Sequence, residues 1–267
     1  MGRTIRFWLL LAAAALPAVG CRRTAPQNPP GGEPADSPKE IEILCGGSFR
    51  PPLEELAKQF EAETGVRAVL VFGQSEDHLP KVKEQTIGDV FVSHDPFIKY
   101  TEDAGAMLRY VSVGYVAPVL VVAEGNPKAL KHFDDLAKPD LRVVLPNPDF
   151  STCGQMVFAL LDKKDKQQPG FKEAVLANTG NAMMKTHAAV ATQIKLGHRD
   201  AGIMWNGVAH NWLDALDIVP APYEYDEEVR VCIMGLSFSK KKDLVEKFLD
   251  FAETHGKEIF TQYGYVK

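Results

Sequence analysis

Residues 41–75 read IEILCGGSFRPPLEELAKQFEAETGVRAVLVFGQS, and the order of elements in that stretch decides the fold. Ile41-Glu42-Ile43-Leu44 is a strand signal, and Cys45-Gly46-Gly47-Ser48 follows it as a turn. Pro51 and Pro52 then open a helix, since proline lacks only an N–H that the first helical turn leaves unpaired. Leu53, Leu56, Ala57 and Phe60 fall at i, i+3, i+4 and i+7, which is one helical face, and Gly65 ends the run. Val66 to Phe72 is a second strand, and Gly73-Gln74-Ser75 leads into a second helix running towards Gln85.

The alternation continues along the chain. Asp89–Ser93, Arg142–Leu145 and Ala201–Trp205 are strand signals, and Val116–Val122 is one long β-branched run. Helices are predicted at about Gly154–Leu161, Gly170–Ala177, Ala188–Leu196 and Asp243–Ala252, and no internal repeat is present. Strands alternating with helices predict α/β architecture with mostly parallel sheets. Such sheets take ligands beyond the carboxyl ends of their strands.

The N-terminus is of another kind. Arg3 and Arg6 precede an uncharged apolar run from Phe7 to Val19, the n- and h-regions of a secretory signal. The run is shorter than the roughly 20 residues a membrane-spanning helix needs. It ends in Ala18-Val19-Gly20-Cys21, which resembles a bacterial lipobox with Ala18 in place of the usual leucine, so residues 1–20 are expected to be removed and Cys21 lipidated. From Arg22 to Lys39 the chain is rich in proline and glycine and has no apolar periodicity, as in a flexible tether. Removing the signal takes two arginines and no acid, so 30 basic residues against 35 acidic become 28 against 35, a formal charge of −7. An acidic chain without a basic stripe argues against nucleic acid as a partner. Cys45, Cys153 and Cys232 remain after Cys21, an odd number far apart, which predicts no disulfide framework.

Three strand-to-helix junctions carry small or hydroxyl residues: Gly46-Gly47-Ser48, Gly73-Gln74-Ser75 and Ser151-Thr152-Cys153-Gly154. Singly, each reads as ordinary helix capping. Together they offer unpaired N–H groups, helix dipoles and hydroxyl donors, which can cage an oxyanion without lysine or arginine.

With these junctions in place, the chain resembles the periplasmic molybdate-binding proteins of bacterial molybdate ABC transporters, within the type II periplasmic binding-protein fold. The segments that carry the likeness are LEELAKQFEAETGV (Leu53–Val66), FGQS (Phe72–Ser75), GDVFVSHDP (Gly88–Pro96), LVVAEGNP (Leu120–Pro127), LPNP (Leu145–Pro148), DAGIMW (Asp200–Trp205) and KFLDFAETHGKEIFTQYGY (Lys247–Tyr265). The resemblance implies two lobes, each a mostly parallel sheet flanked by helices. Residues 41–115 with 223–267 form lobe I, and 116–222 lobe II, with a hinge of two crossings near Val113–Pro118 and Val219–Pro222. It also implies an exported binding protein, monomeric, without cofactor or enzymatic activity. Its ligand is a small oxyanion, molybdate or tungstate foremost, and its partners are the permease subunits of the transporter.

By the same resemblance Ser48 and Ser75 are the serine ligands, and Cys153 and His187 stand at the two amide-donor positions. Trp205 stands where the family has a tyrosine; its indole N–H can donate but not accept. Cys45, Phe49, Arg50 and His94 are further residues of the same cleft. Two alternatives stay open. Cys45, His94, Cys153 and His187 would suit a soft or borderline metal ion, although no pair has a recognised ligand spacing. Cys153 at a helix N-terminus, with His187, would suit a thiolate hydrolase. Elsewhere, His78, His132, His198, His210 and His255 read as solvated, as do Lys240–Lys242. Trp212 and Leu213 read as core, and Cys232 as buried and inert.

Overall fold

A computed structural model describes residues 39–266, so the signal, Cys21 and most of the tether lie outside the described residues. Ten strands form two five-stranded sheets among those residues. The first contains β1 (Glu40–Gly46), β2 (Arg67–Gly73), β3 (Val90–His94), β4 (Met107–Val116) and β10 (Val229–Leu236), in the order β2-β1-β3-β10-β4. The second contains β5 (Pro118–Ala123), β6 (Val143–Pro146), β7 (Met183–Met184), β8 (Ala201–Trp205) and β9 (Leu216–Ile218), in the order β7-β6-β8-β5-β9. The chain passes from the first sheet to the second at Ala117 and returns between Ile218 and Val229.

The sheets are mixed rather than mostly parallel. β1 runs parallel to β2 and β3, and β6 to β7 and β8. The strands next to the crossings, β4, β10, β5 and β9, pair antiparallel because the chain enters and leaves each sheet through them. The run Val116–Val122 is therefore two strands. Pro118 has no N–H for a continuous ladder, and the break at Ala117 lets β4 pair with β10 while β5 pairs with β8.

Helix α1 (Arg50–Thr64) starts with proline in its first turn and ends on Gly65, whose φ of 69° is the left-handed conformation glycine accepts most readily. Its face of Leu53, Leu56, Ala57 and Phe60 is buried, and each large apolar side chain contributes roughly 1.5–3 kcal/mol. Phe60 packs edge-on against Phe248 and Phe251 of α8 (Lys242–Gln262), with ring centroids 5.0 and 5.5 Å apart. The remaining helices are α2 (Ser75–Lys83), α3 (Phe97–Asp103), α4 (Thr152–Gln167), α5 (Phe171–Thr179), α6 (His187–Lys195) and α7 (Asn206–His210). Among the described residues no helix is long and apolar enough to cross a membrane.

Two readings of single residues change. His78 is buried, 3 % exposed, because the first turn of α2 lays its ring over Gly73, where a Cβ would come within 2.6 Å of Nε2. Leu213 is 50 % exposed, because it sits in the turn after α7 and not on a packed face, while Trp212 is half-buried. Cys232 is buried in β10, as expected.

Candidate functional site

Six segments, three from each sheet, wall one cavity of about 290 Å³. From the first sheet, the turn after β1 brings Gly46–Phe49, the turn after β2 brings Gly73–Glu76, and the end of β3 brings His94. From the second, the walls are Phe150–Thr152 before and within α4, Lys185–Ala188 around the start of α6, and Trp205 with Val208 after β8.

The first turns of α2, α4 and α6 thus face a common space. Ser151 caps α4, its hydroxyl accepting from the Gly154 N–H at 3.4 Å, and Thr186 caps α6, accepting from the Ala189 N–H at 3.2 Å. In α2 the carbonyl of Gln74 accepts from the N–H groups of Asp77 and His78. The earlier N–H groups of each helix have no intrahelical acceptor, and the positive ends of three dipoles converge with them. Gly154 lets α4 start so close to the preceding turn: a Cβ there would lie 2.7 Å from the Pro146 carbonyl oxygen.

Hydroxyls add to this. Ser75 is 7 % exposed, and its Oγ accepts a buried hydrogen bond from Ser93 Oγ at 2.8 Å. With that bond made, the Ser75 proton is free to donate into the cavity. Gly46 permits the approach of the two turns, since a Cβ on it would come within 3.4 Å of Ser75 Oγ and 3.2 Å of the Phe49 ring. Ser48 is held through its main chain, whose carbonyl accepts from the Tyr265 hydroxyl. Phe49 stacks edge-on with His94, centroids 6.1 Å apart.

Trp205 closes the far side between two imidazoles, 5.6 Å from His94 and 5.8 Å from His187 by ring centroid. Burial, and then the neighbouring His94, lowers the pKa of His187 to about 3. Burial also lowers that of His94. Both rings are therefore neutral near pH 7. At the mouth stand exposed Glu76, whose pKa partial burial raises, and Lys185, whose ammonium lies 5.3 Å from the Phe150 ring centroid.

Ser48, Phe49, Ser75, His94, His187 and Trp205 are thus brought together, Cys45 and Arg50 are not, and Cys153, expected for its backbone N–H, turns its side chain away from the cavity. Cys153 is fully buried as the second residue of α4, and its predecessor Thr152 takes the place on the wall. Burial pushes its thiol well above the usual range, opposing the lowering expected at a helix N-terminus, so the thiolate–imidazole pair is not assembled. Cys45 points into the sheet, its thiol donating to the Val71 carbonyl at 3.6 Å and pushed up to about 12 by burial. Arg50 lies outside, its guanidinium 3.6 Å over the Phe72 ring and 3.2 Å from Glu54. With both cysteines off the wall, the four-ligand metal set is not assembled. Among the described residues no three His, Cys, Asp or Glu side chains are grouped to hold a metal ion. The sequence reading also missed Thr186, whose place before the amphipathic run from Ala188 was a capping signal, and Ser93, for which no local signal exists.

A larger cavity of about 440 Å³ adjoins through Thr152, but the charged residues on its wall are all carboxylates: Asp95, Glu224, Asp226, Glu227 and Glu228. Three of these are ion-paired, Asp95 with Arg230, Glu224 with Lys164 and Asp226 with Lys163, and the wall itself carries no cationic side chain.

Two mixed sheets joined by two crossings, with a cavity walled from both, define a two-lobed α/β binding protein. The chain belongs to the bacterial extracellular solute-binding proteins, whose family model matches residues 41–266. A molybdate-binding protein of Mycobacterium bovis is 28 % identical over 253 residues, covering 93 % of this chain and 92 % of the relative. Among solved structures, the sulfate-binding protein SubI of Mycobacterium tuberculosis aligns with a TM-score of 0.68 at 20 % identity, over 85 % of this chain and 86 % of the other. PEB3 of Campylobacter jejuni with L-phospholactate bound aligns at 0.69 and 18 % identity, over 85 % and 99 %.

Proposed function

We propose that this chain is the extracytoplasmic binding component of an ABC transporter and captures a small oxyanion in the cavity between its sheets. The observation that carries this reading is the convergence of three helix N-termini with the hydroxyls of Ser48 and Ser75, while the one cation on the wall, Lys185, stays exposed at the mouth. Unpaired N–H groups and aligned dipoles stabilise an anion without desolvating a second charge. Ser48, Ser75, the indole N–H of Trp205 and the backbone N–H groups at positions 152, 153 and 187 act as donors. The molybdate-binding relative makes molybdate and tungstate the first ligands to test.

In the mechanism, lobe I comprises residues 41–115 with 223–267, and lobe II residues 116–222. An anion touching donors of both lobes binds the closed arrangement more tightly than the open one, and that difference alone shifts the population. The closed, loaded monomer then meets the permease. Calorimetric titration with molybdate, tungstate, sulfate, phosphate and divalent metal ions tests the reading. Saturable binding of at least one oxyanion is expected; binding of a metal ion alone would overturn it.

Export and anchoring complete the proposal. Lipidation of Cys21 tethers the folded part to a membrane through residues 22–39. Cys21→Ser should release the protein from the membrane fraction with its ligand affinity intact; equal membrane fractions for variant and wild type would remove the anchor.

A further inference from the structure

The cavity is lined mostly by donors, and one acceptor among them is fixed by geometry. His94 Nδ1 lies 2.6 Å from the carbonyl oxygen of Asp95. A carbonyl oxygen only accepts, so Nδ1 must carry a proton. Burial disfavours a second proton on the ring, and a neutral imidazole protonated at Nδ1 presents a lone pair at Nε2. Among the described residues Nε2 finds no protein partner, yet it is not sealed from solvent as both nitrogens of His78 are. His94 is only 8 % exposed and lines the cavity, so its open edge faces the ligand space.

The ring is held in this orientation. Phe49, Phe97 and Trp205 meet it edge-on, with centroids 6.1, 5.4 and 5.6 Å away. Flipping it would put a carbon against the Asp95 carbonyl. Of the other titratable groups facing the cavity, Glu76 at the mouth is itself an acceptor, and His187 is a neutral ring with a single N–H that packs on Trp205, centroids 5.8 Å apart. Lys185 is exposed at that same mouth.

An oxyanion whose oxygens are all acceptors meets the Nε2 lone pair with repulsion, whereas one that carries a hydroxyl donates to it. We infer that His94 makes this site selective for an oxyanion bearing its own proton, monohydrogen phosphate being the simplest, over sulfate, molybdate or tungstate of equal charge. The inference rests on the oxyanion reading above and narrows it. Sulfate and monohydrogen phosphate are both tetrahedral dianions, so the proton is the main difference the site can read. A hydrogen bond between a buried acceptor and a charged ligand is the kind whose loss leaves a desolvated group unpaired. This discriminates far more strongly than a small change of shape.

The test is calorimetric titration of the wild-type protein with sodium phosphate, sulfate and molybdate in mildly alkaline buffer, repeated with His94→Phe. That variant keeps an aromatic edge against Trp205 and removes the acceptor. Wild type is expected to bind phosphate roughly 10- to 150-fold more tightly than sulfate or molybdate, and His94→Phe to bring the affinities together. Sulfate or molybdate binding wild type as tightly as phosphate overturns the inference while leaving the oxyanion reading intact. So does a folded His94→Phe protein that keeps the wild-type ratio. If His94→Phe does not fold, the wild-type ratio decides. A wild-type protein that binds none of the three overturns the oxyanion reading, and this inference with it.

Discussion

Replacing Ser75 by alanine separates two effects that the structure ties to one hydroxyl. In the proposed site Ser75 donates to the anion, and in the structure it accepts from buried Ser93 at 2.8 Å. Loss of a donor to a charged, desolvated oxygen costs about 1.5–3 kcal/mol, which is a fall in affinity of roughly 10- to 150-fold. Loss of the acceptor strands Ser93, which is 0 % exposed and has no water to turn to. That costs the empty protein about 1–3 kcal/mol of stability. Removing the stranded hydroxyl as well, in Ser75→Ala/Ser93→Ala, should restore part of that stability and none of the affinity. Calorimetry with the best-binding oxyanion reads the first effect, and urea denaturation of the ligand-free protein reads the second. Unchanged affinity in both Ser75→Ala and Ser48→Ala would refute the assignment of the site. A double variant less stable than Ser75→Ala would refute the stranding argument.

Three further outcomes follow from the same geometry. Gly207→Ala places a Cβ 2.3 Å from Cζ of Tyr265, a ring 1 % exposed whose hydroxyl holds the Ser48 carbonyl, so it should cost about 1–3 kcal/mol and lower the thermal midpoint; a wild-type melt would show that ring to be free to move. His187 titrates near 6.5 when unfolded and at about 3 when folded, so between those values the unfolded chain binds a proton the native protein refuses. Stability of the ligand-free protein should therefore fall as pH drops below 6.5 and level off near 3, with His94 acting in the same direction, and His187→Phe should flatten denaturation midpoints compared between about pH 7 and pH 5. Cys153→Ala should keep oxyanion binding within about tenfold, a loss under about 1.4 kcal/mol, because the thiol is off the wall and the main chain of α4 is retained; titration showing a greater loss would put the sulfur in the site.

The stretch from Ile41 to Ser75 was legible because its signals are local: proline at a helix start, an apolar face at helical spacing, glycine at a left-handed cap. The same stretch placed Ser48 and Ser75 at strand-to-helix turns, where they stand. What the sequence could not carry was the tertiary part. β-branched residues continue across Ala117, so the break between β4 and β5 is visible only once each strand finds a partner in a different sheet. His78 lies among Glu76, Asp77 and Lys81 and reads as solvated; its burial depends on the absence of a side chain at Gly73. The choice between Thr152 and Cys153 is a matter of one residue along a helix start, and periodicity is too coarse to settle it. Ser93 is an unremarked serine in a strand until β3 lies beside the turn that carries Ser75.

The positive potential around the cavity belongs largely to peptide groups. Such a charge cannot be titrated away, acetylated, or exchanged by a point mutation. Because the groups are partly buried, mobile salt screens them far less than it screens a surface lysine. Anion capture of the proposed kind should hold in media from dilute to saline, whatever side chain short of proline stands at position 152. Discrimination between anions is then concentrated in a handful of side chains, so a lineage can change its cargo by altering His94 or Trp205 and leave the scaffold untouched.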